Sequence, residues 1–275
     1  MKTRLILVLL TVTGLGVAQT PTIRDTNSVL NGASFNTPVA PGALLSIFGS
    51  NLASTLASSD TVPLSTSIAG VSVQFVQGSQ TYVAPLQFIY QGDPTQNIPA
   101  QINAQLPWEI TPDGPSVSVT VTANGATSAP ATVPVGRFGP GVFSSNGLAI
   151  AVNNADGALA WAAGSVPGLT THGAKAGDVV ILYVTGLGPV DTPIADGTAP
   201  VYLDNLLRNT NDSPGVFVGG KQAQLVYSVL SPQFPGVYQL AFIVPSGAPV
   251  GDKVSLQIAI GGVVSPNNTT MSVVQ

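Results

Sequence analysis

The sequence predicts an all-β protein built from two tandem antiparallel β-sandwiches. Three observations predict this class. Apolar and polar residues alternate with a period of two in several segments, 30 glycines and 23 prolines interrupt those segments, and the second half of the chain repeats the first. Alternation is typical of strands with one buried face. The many turn residues leave few stretches that could form a helix longer than two turns.

The internal repeat consists of three segments that return in the same order, 135 to 138 residues further on. They are VSVTVTANGATSAP from Val117 and VSLQIAIGGVVSPN from Val254, QINAQLP from Gln101 and QLAFIVP from Gln239, and PGALLSIFGSNL from Pro41 and AGDVVILYVTGLG from Ala176. Random similarity between apolar stretches seldom keeps both order and spacing. The repeat therefore predicts two copies of one β-domain.

Residues 1–18 predict a secretory signal peptide. Lys2 and Arg4 precede an apolar stretch from Leu5 to Val12, and the small residues Gly16 to Ala18 suit signal peptidase. The stretch is shorter than the roughly 20 residues that span a bilayer, although an uncleaved N-terminal anchor is an alternative. We expect a secreted or cell-surface protein with no membrane span after cleavage.

The rest of the chain divides into a leader and two domains. The leader covers residues 19–26, the first sandwich residues 27–136 and the second residues 137–275. The second copy is longer because it carries an added segment, residues 142–174. Asp156-Gly157 predicts a hairpin turn there, and this hairpin would cover a sheet edge or the domain junction with Trp161 as its apolar plug.

The alternating segments predict the inward faces of the strands. Those faces comprise Val71, Val73, Phe75, Val117, Val119, Val121, Tyr238, Leu240, Phe242, Val244, Val254, Leu256, Ile258 and Ile260. Turn signals every 8 to 15 residues between such strands are typical of immunoglobulin-like sandwiches. Gly49, Gly125, Gly186 and Gly262 are predicted at equivalent turns with positive φ.

Composition excludes several kinds of partner. The chain has 8 basic and 12 acidic residues, and loss of Lys2 and Arg4 with the signal peptide would leave a net charge of 6 − 12 = −6. A phosphate backbone needs clustered Lys and Arg, so we expect no nucleic-acid binding; anionic membrane surfaces are disfavoured for the same reason. The chain has no cysteine, so each half must be stabilised by core burial rather than disulfides.

Seven motifs in order resemble a bacterial family. They are NGASF from Asn31, APGALLSIFGSNLA from Ala40, APL from Ala84, QINAQLPWEI from Gln101, PGVF from Pro140, VTGLGPV from Val184 and YQLAFIVP from Tyr238. This order resembles the uncharacterized C-terminal domain family described from Solibacter and other Acidobacteria, and PGALLSIFGSNL is similar to the opening strands of IPT/TIG immunoglobulin-like domains. The resemblance implies a secreted or cell-surface protein with immunoglobulin-like folds and no assigned activity.

Little in the sequence favours catalysis. His172 is the only histidine, and no G-x-S-x-G nucleophile motif accompanies it. Most of the aspartates lie in turn sequences, where their side chains bond nearby backbone N–H groups. We therefore expect no enzymatic activity, no catalytic residue and no cofactor. The alternative is a secreted hydrolase that uses His172 or an aspartate pair.

Calcium is the metal that the sequence favours. Acidic and amide side chains crowd the connection from Gly188 to Pro214, and Ca²⁺ prefers such oxygen ligands. No EF-hand loop is present. The candidate ligands are Asp191, Asp196, Asp204 and Asp212, with Asn205, Asn209 and Asn211.

The sequence predicts a binding or structural role at the cell exterior, with an extracellular protein or a polysaccharide as partner and the oligomeric state left open. Recognition would use loops or an exposed sheet edge. Glycan binding is one form of this role, because aromatic rings can serve as sugar platforms. Trp161 and Tyr202 are the candidate ligand contacts; Tyr90 is a further candidate, and Trp108 is expected to be a core or interface anchor. An inert spacer is a further alternative.

Overall fold

The computed structural model describes residues 19–275. Residues 1–18, and with them the predicted signal peptide, lie outside the described part of the chain. Within residues 19–275 the regular elements are β-strands and three short 3-10 helices, at Thr26–Ser28, Pro94–Gln96 and Pro200–Tyr202. The predicted all-β class is confirmed.

The first eleven strands form two antiparallel sheets. Their bounds are β1 (Thr22–Ile23), β2 (Val29–Asn31), β3 (Leu44–Ser50), β4 (Ala57–Ser58), β5 (Ser72–Gln77), β6 (Gln80–Val83), β7 (Leu86–Tyr90), β8 (Ala100–Gln105), β9 (Val117–Ala123), β10 (Ala126–Thr127) and β11 (Ala131–Val133). Sheet 1 has the order β1-β3-β8-β7-β4, with β2 also on β3; sheet 2 has the order β10-β9-β5-β6, with β11 also on β9.

Sheets 1 and 2 enclose one apolar core. Ile47 and Ile102 of sheet 1 and Val73 and Val119 of sheet 2 belong to the same cluster of fully buried side chains. The order β1-β3-β8-β7 facing β6-β5-β9-β11 corresponds to strands A-B-E-D and C′-C-F-G of an immunoglobulin domain. The first half is therefore an immunoglobulin-like sandwich.

The remaining twelve strands form the second sandwich. Their bounds are β12 (Gly141–Val142), β13 (Ser144–Ser145), β14 (Leu148–Ala149), β15 (Ala151–Asn153), β16 (Ala174–Lys175), β17 (Val179–Thr185), β18 (Gly215–Val218), β19 (Lys221–Leu230), β20 (Tyr238–Ile243), β21 (Gly251–Ile260), β22 (Val263–Val264) and β23 (Thr270–Val274). They are linked in the order β12-β17-β20-β19-β18-β21-β23-β14-β13, with β15 on β17, β16 on β23 and β22 on β21.

The second sandwich is one continuous sheet because β19 belongs to both of its layers. The first residues of β19 pair with β18, and residues from Gln224 onward pair with β20. In the first copy the same path is divided into β6 and β7, with Pro85 between them. Proline has no N–H to donate to a ladder, so it separates the two strands there.

The pairing register reproduces the internal repeat. Ile47 on β3 lies opposite Ile102 on β8. The residues 135 and 138 positions further on, Leu182 and Leu240, lie opposite each other on β17 and β20. These are the separations by which the sequence segments match, so the two copies pair equivalent residues. The prediction of a tandem repeat is confirmed.

Both copies also contain the same irregularity. The ladder of β7 with β8 shifts register between Leu86 and Phe88, and the ladder of β19 with β20 shifts between Leu225 and Tyr227. A β-bulge of this kind bends and twists a strand locally. Its return at an equivalent position indicates that the bend belongs to the duplicated domain.

The predicted inward faces are buried, including Val71, Val73 and Phe75 on the first copy. Gly125, Gly186 and Gly262 have positive φ as predicted, but Gly49 does not. Gly49 lies inside β3, where a Cβ would overlap the Thr22 carbonyl on β1. The prediction for Gly49 was wrong because close approach of two strands, rather than a turn, requires glycine there.

Two segments outside the repeated strands extend the sheets. β1 lies inside the predicted leader, residues 19–26, and pairs with β3, so this part of the leader belongs to sheet 1. A two-residue strand is too short to show alternation. In the added segment, Val152 bridges Leu159 across the turn at Gly157, and this hairpin covers the edge of β17 through β15.

Buried hydrogen bonds join the two sandwiches. Thr185 Oγ1 accepts from the Leu44 N–H at 3.1 Å and donates to the Gly236 carbonyl at 2.7 Å. Gln105 Oε1 accepts from the Gly197 N–H at 2.6 Å. Trp108 follows sheet 1 but packs against the core of the second sandwich, which fits its expected role as an anchor.

In the described residues no helix has the length and apolar character needed to cross a membrane.

Candidate functional site

The four aspartates predicted to bind calcium do not converge. Within residues 19–275, no three side chains of the types His, Cys, Asp and Glu form a group that could hold a metal ion. Each carboxylate has its own partner instead: Asp191 with Asn209, Asp196 with Trp108, Asp204 with Arg208 and Asp212 with Arg137. The structure therefore does not assemble the calcium site. These aspartates are close together along the 27-residue connection from Gly188 to Pro214, but the fold does not bring them together in space.

Asp204 and Arg208 form a two-pronged ion pair. Arg208 Nη1 and Nη2 donate to the two Asp204 oxygens, each at 2.7 Å, and the Arg208 side chain is only 1% exposed. Asp204 also accepts from the Leu206 N–H at 3.0 Å. The bond with Arg208 lowers the pKa of Asp204 to about 2. The pair fixes the backbone of the connecting loop from one side.

Residues 200–207, here called the apolar loop, expose an unusual number of large hydrophobic side chains. Five of the eight are 44–63% exposed: Val201, Tyr202, Leu203, Leu206 and Leu207. The loop is anchored on the second sandwich because the Val201 N–H donates to the Pro232 carbonyl at 2.9 Å. Contiguous exposed apolar residues commonly mark interaction sites. Tyr202, predicted as a ligand contact, lies in this loop.

Trp161, the other predicted ligand contact, is part of the interior. It is 5% exposed, and its indole Nε1 donates to the Ala149 carbonyl at 2.7 Å. A buried indole that already has its hydrogen-bond partner is not available to a surface ligand. The prediction of a ligand contact was wrong, whereas the description of Trp161 as an apolar plug fits its burial.

His172 has no nitrogen free to act as a catalytic base. Its Nε2 lies 2.7 Å from Asp156 Oδ2, and its Nδ1 lies 3.0 Å from the Gly173 carbonyl. Hydrogen bonding to that carbonyl and to Asp156 raises the pKa of His172, because both acceptors favour the charged imidazolium. The arrangement crosslinks the turn of the added hairpin to the segment that follows it.

Asp196 belongs to the domain junction. Its Oδ1 accepts from the Trp108 N–H at 3.0 Å, and Glu109 of the first sandwich lies beside it. Burial, and secondly the nearby charge of Glu109, raise the pKa of Asp196 to about 6. Two carboxyl groups therefore face each other across the junction, which disfavours ionisation of the more buried one.

The outer face of sheet 1 combines aromatic and amide side chains. Directly paired residues of an antiparallel sheet point to the same side, so the register places six side chains together in two rows. These rows, here called the aromatic–amide face, are Phe48–Gln101–Tyr90 and Ser46–Asn103–Phe88. Sequence reasoning singled out only Tyr90. The alternation of polar residues in QINAQ could have indicated Gln101 and Asn103. That Phe48 lies opposite Gln101 follows only from the strand register.

The strand order and these surfaces define an all-β protein of two immunoglobulin-like sandwiches. No protein-family model matches the chain, and no curated protein matches it. Two solved structures of tandem immunoglobulin repeats are similar at 10% identity. "Anomalous substructure of Titin-A168169" covers 94% of this chain and 100% of its own with a TM-score of 0.22, and "Tandem Ig repeats of Dlar" covers 93% and 95% with a TM-score of 0.20. At such low TM-scores, the immunoglobulin-like assignment rests on the strand order.

Proposed function

We propose that this chain is an exported, non-enzymatic protein that binds a partner at the cell exterior. The observation that carries the proposal is the apolar loop: five exposed hydrophobic side chains on a backbone fixed by the buried Arg208 and its ion pair with Asp204. A loop held in one conformation loses little entropy on binding, which favours a recognition role. Interfaces are also dominated by a few apolar and aromatic anchors.

Two sequence features support export. Residues 1–18 have the charge, apolar stretch and small residues of a signal peptide. The resemblance to the acidobacterial family agrees with a bacterial secreted or cell-surface protein. N-terminal sequencing of the protein from the culture medium is expected to begin at Gln19.

The hydrogen bonds of His172 favour a binding role over hydrolysis. Both of its ring nitrogens already have a partner, and a catalytic base needs a nitrogen that can accept a proton.

Capture from envelope extracts tests the binding role. We expect immobilised wild-type protein to retain a specific partner and Leu206→Asn to reduce this retention about tenfold. The substitution removes an apolar contact from the interface, and because Leu206 is exposed it does not unfold the chain. Leu56→Asn is the matched control, since Leu56 is 60% exposed on the first sandwich and Leu206 is 59% exposed. Equal retention by Leu206→Asn and Leu56→Asn, or no retention by the wild type, would contradict the proposal.

A further inference from the structure

The aromatic–amide face presents amides at its centre and aromatic rings on either side. Gln101 and Asn103 lie on the central strand β8, between Phe48 on β3 and Tyr90 and Phe88 on β7. Neighbouring strands are about 4.8 Å apart, so Phe48 and Tyr90 lie about 10 Å from each other across the face. All five side chains are partly exposed, and none of them is charged.

A hydrogen-bond network holds the two amides in place. Gln101 Nε2 donates to Asn103 Oδ1 at 2.8 Å, and Ser46 Oγ donates to the same oxygen at 3.0 Å. Within residues 19–275, no hydrogen bond occupies Gln101 Oε1 or Asn103 Nδ2. The face therefore offers one fixed acceptor and one fixed donor group, the pair that a hydroxyl needs.

Phe35 extends the face at one end. Its ring centroid lies 6.0 Å from that of Phe48, and its side chain is 55% exposed. Phe35 has φ 52, a left-handed conformation that is uncommon for a bulky residue and carries strain. Its N–H donates to the Asn31 carbonyl at 2.9 Å, which holds this conformation. Phe35, Phe48 and Leu30 line a concavity of about 360 Å³ at this end, together with the charged residues Arg24 and Asp25.

The second copy carries the same positions without the polar network. The residues equivalent to Phe48 and Gln101 are Tyr183 and Gln239, which are also directly paired. Ser46 and Asn103, however, correspond to Ile181 and Ala241, which cannot form the hydrogen bond. The polar surface is thus specific to the first sandwich, although both copies share the strand geometry.

We propose that the aromatic–amide face binds an uncharged oligosaccharide. A sugar ring has apolar C–H faces that stack on aromatic rings and hydroxyl edges that exchange hydrogen bonds with amides. The uncharged centre of the face favours a neutral ligand, because an acidic or basic one would lose its hydration without a counter-charge. This inference rests on the proposed binding role at the cell exterior and adds the chemical class of a ligand.

NMR titration of the ¹⁵N-labelled chain with cellohexaose, xylohexaose and mannohexaose tests the inference on the unaltered protein. We expect at least one of them to shift the side-chain amide signals of Gln101 and Asn103 in a saturable manner. The equivalent Gln239 signal should remain in place. Unchanged Gln101 and Asn103 signals with all three oligosaccharides at millimolar concentration would overturn the inference.

Substitutions give a second test, and thermal melting checks that each variant is folded. Gln101→Ala is expected to weaken oligosaccharide binding about 3- to 10-fold, and Phe48→Ala by about tenfold. Gln239→Ala, the matched change in the second copy, should leave the affinity within about twofold. Equal weakening by Gln101→Ala and Gln239→Ala would overturn the assignment to the first sandwich.

The two proposals fail in different ways. Loss of oligosaccharide binding with partner capture still dependent on Leu206 would remove this inference and leave the binding role intact. If a captured protein shifts the Gln101 and Asn103 signals and no oligosaccharide does, the face binds a protein and the inference is overturned. Absence of both activities would remove both proposals.

Discussion

At the scale of single residues, the surroundings of a side chain decide its role. Asp196 occurs in an Asp-Gly turn, and the sequence gives it the same appearance as Asp156. The fold buries Asp196 against Trp108 and Glu109, whereas Asp156 stays exposed and pairs with His172. The two aspartates stand in identical dipeptides, yet the fold raises the pKa of Asp196 and lowers the pKa of Asp156.

Asp196→Asn is expected to stabilise the protein at high pH. The folded pKa of Asp196, about 6, lies above the ordinary pKa of an aspartate, 3.8. The folded state therefore holds the proton more tightly, and wild-type stability falls as pH rises from about 4 through about 6. Asparagine keeps the acceptor for the Trp108 N–H and carries no charge. After allowance for partial exposure we expect a gain of about 1 kcal/mol at pH 8, or about 2–4 °C.

Thermal melts at pH 4 and pH 8 measure this effect. The Asn variant and the wild type should differ less at pH 4 than at pH 8, and Asp60→Asn, at an exposed loop position, serves as the matched control. A lower melting temperature for Asp196→Asn than for the wild type at pH 8 would contradict the role of the buried charge.

At the scale of elements, the two copies use the same local devices. Ser128 Oγ accepts from the Val121 N–H, and Ser265 Oγ accepts from the Ile258 N–H, each at 3.0 Å. Both serines lie 7 residues after the donor, where the strand that follows a tight turn leaves the ladder. A hydroxyl thus replaces the missing ladder partner of a buried N–H in both sandwiches.

Ser128→Ala and Ser265→Ala should therefore destabilise the chain to a similar extent. Each leaves one buried N–H without a partner, which costs about 1–3 kcal/mol. The double variant should lose the sum of the two, because the sites lie in different sandwiches. Urea denaturation measures the losses, with Ser118→Ala on the outward side of β9 as the control. A loss confined to one copy would show that the device is not shared.

At the scale of the whole molecule, the junction fixes the sandwiches to each other. Several of its hydrogen bonds are buried and join a backbone group of one sandwich to a side chain of the other, as with Thr185 and Leu44. Glycine permits this approach, because a Cβ on Gly197 of the second sandwich would lie only 3.0 Å from the Leu64 nitrogen of the first. The outer face of sheet 1 and the apolar loop are consequently presented in one fixed arrangement.

Thr185→Val tests how far the junction stabilises the molecule. Valine has a similar shape, but it leaves the Leu44 N–H and the Gly236 carbonyl without their buried partner, at about 1–3 kcal/mol for each group. Urea denaturation should show this loss, whereas Thr122→Val, which removes a surface hydroxyl pair with Thr127, should stay within about 0.5 kcal/mol. Equal stability of Thr185→Val and the wild type would exclude a stabilising junction.

The sequence by itself determined the strands, their inward faces and the duplication. Alternation along a strand such as Val117 to Val121 is a local property, because each side chain points opposite to its neighbour whatever the strand pairs with. The matched segments predicted two copies of one domain, and the equivalent pairs Ile47–Ile102 and Leu182–Leu240 of the structure agree with that prediction.

Only the tertiary structure decided which distant groups meet. The junction partners of Asp196, the burial of Trp161 and the rows of the aromatic–amide face depend on contacts between segments tens of residues apart. Composition and spacing do not encode such distances. Calcium ligation was predicted from residues close in sequence, whereas the fold gives each of the four carboxylates its own hydrogen-bond donor.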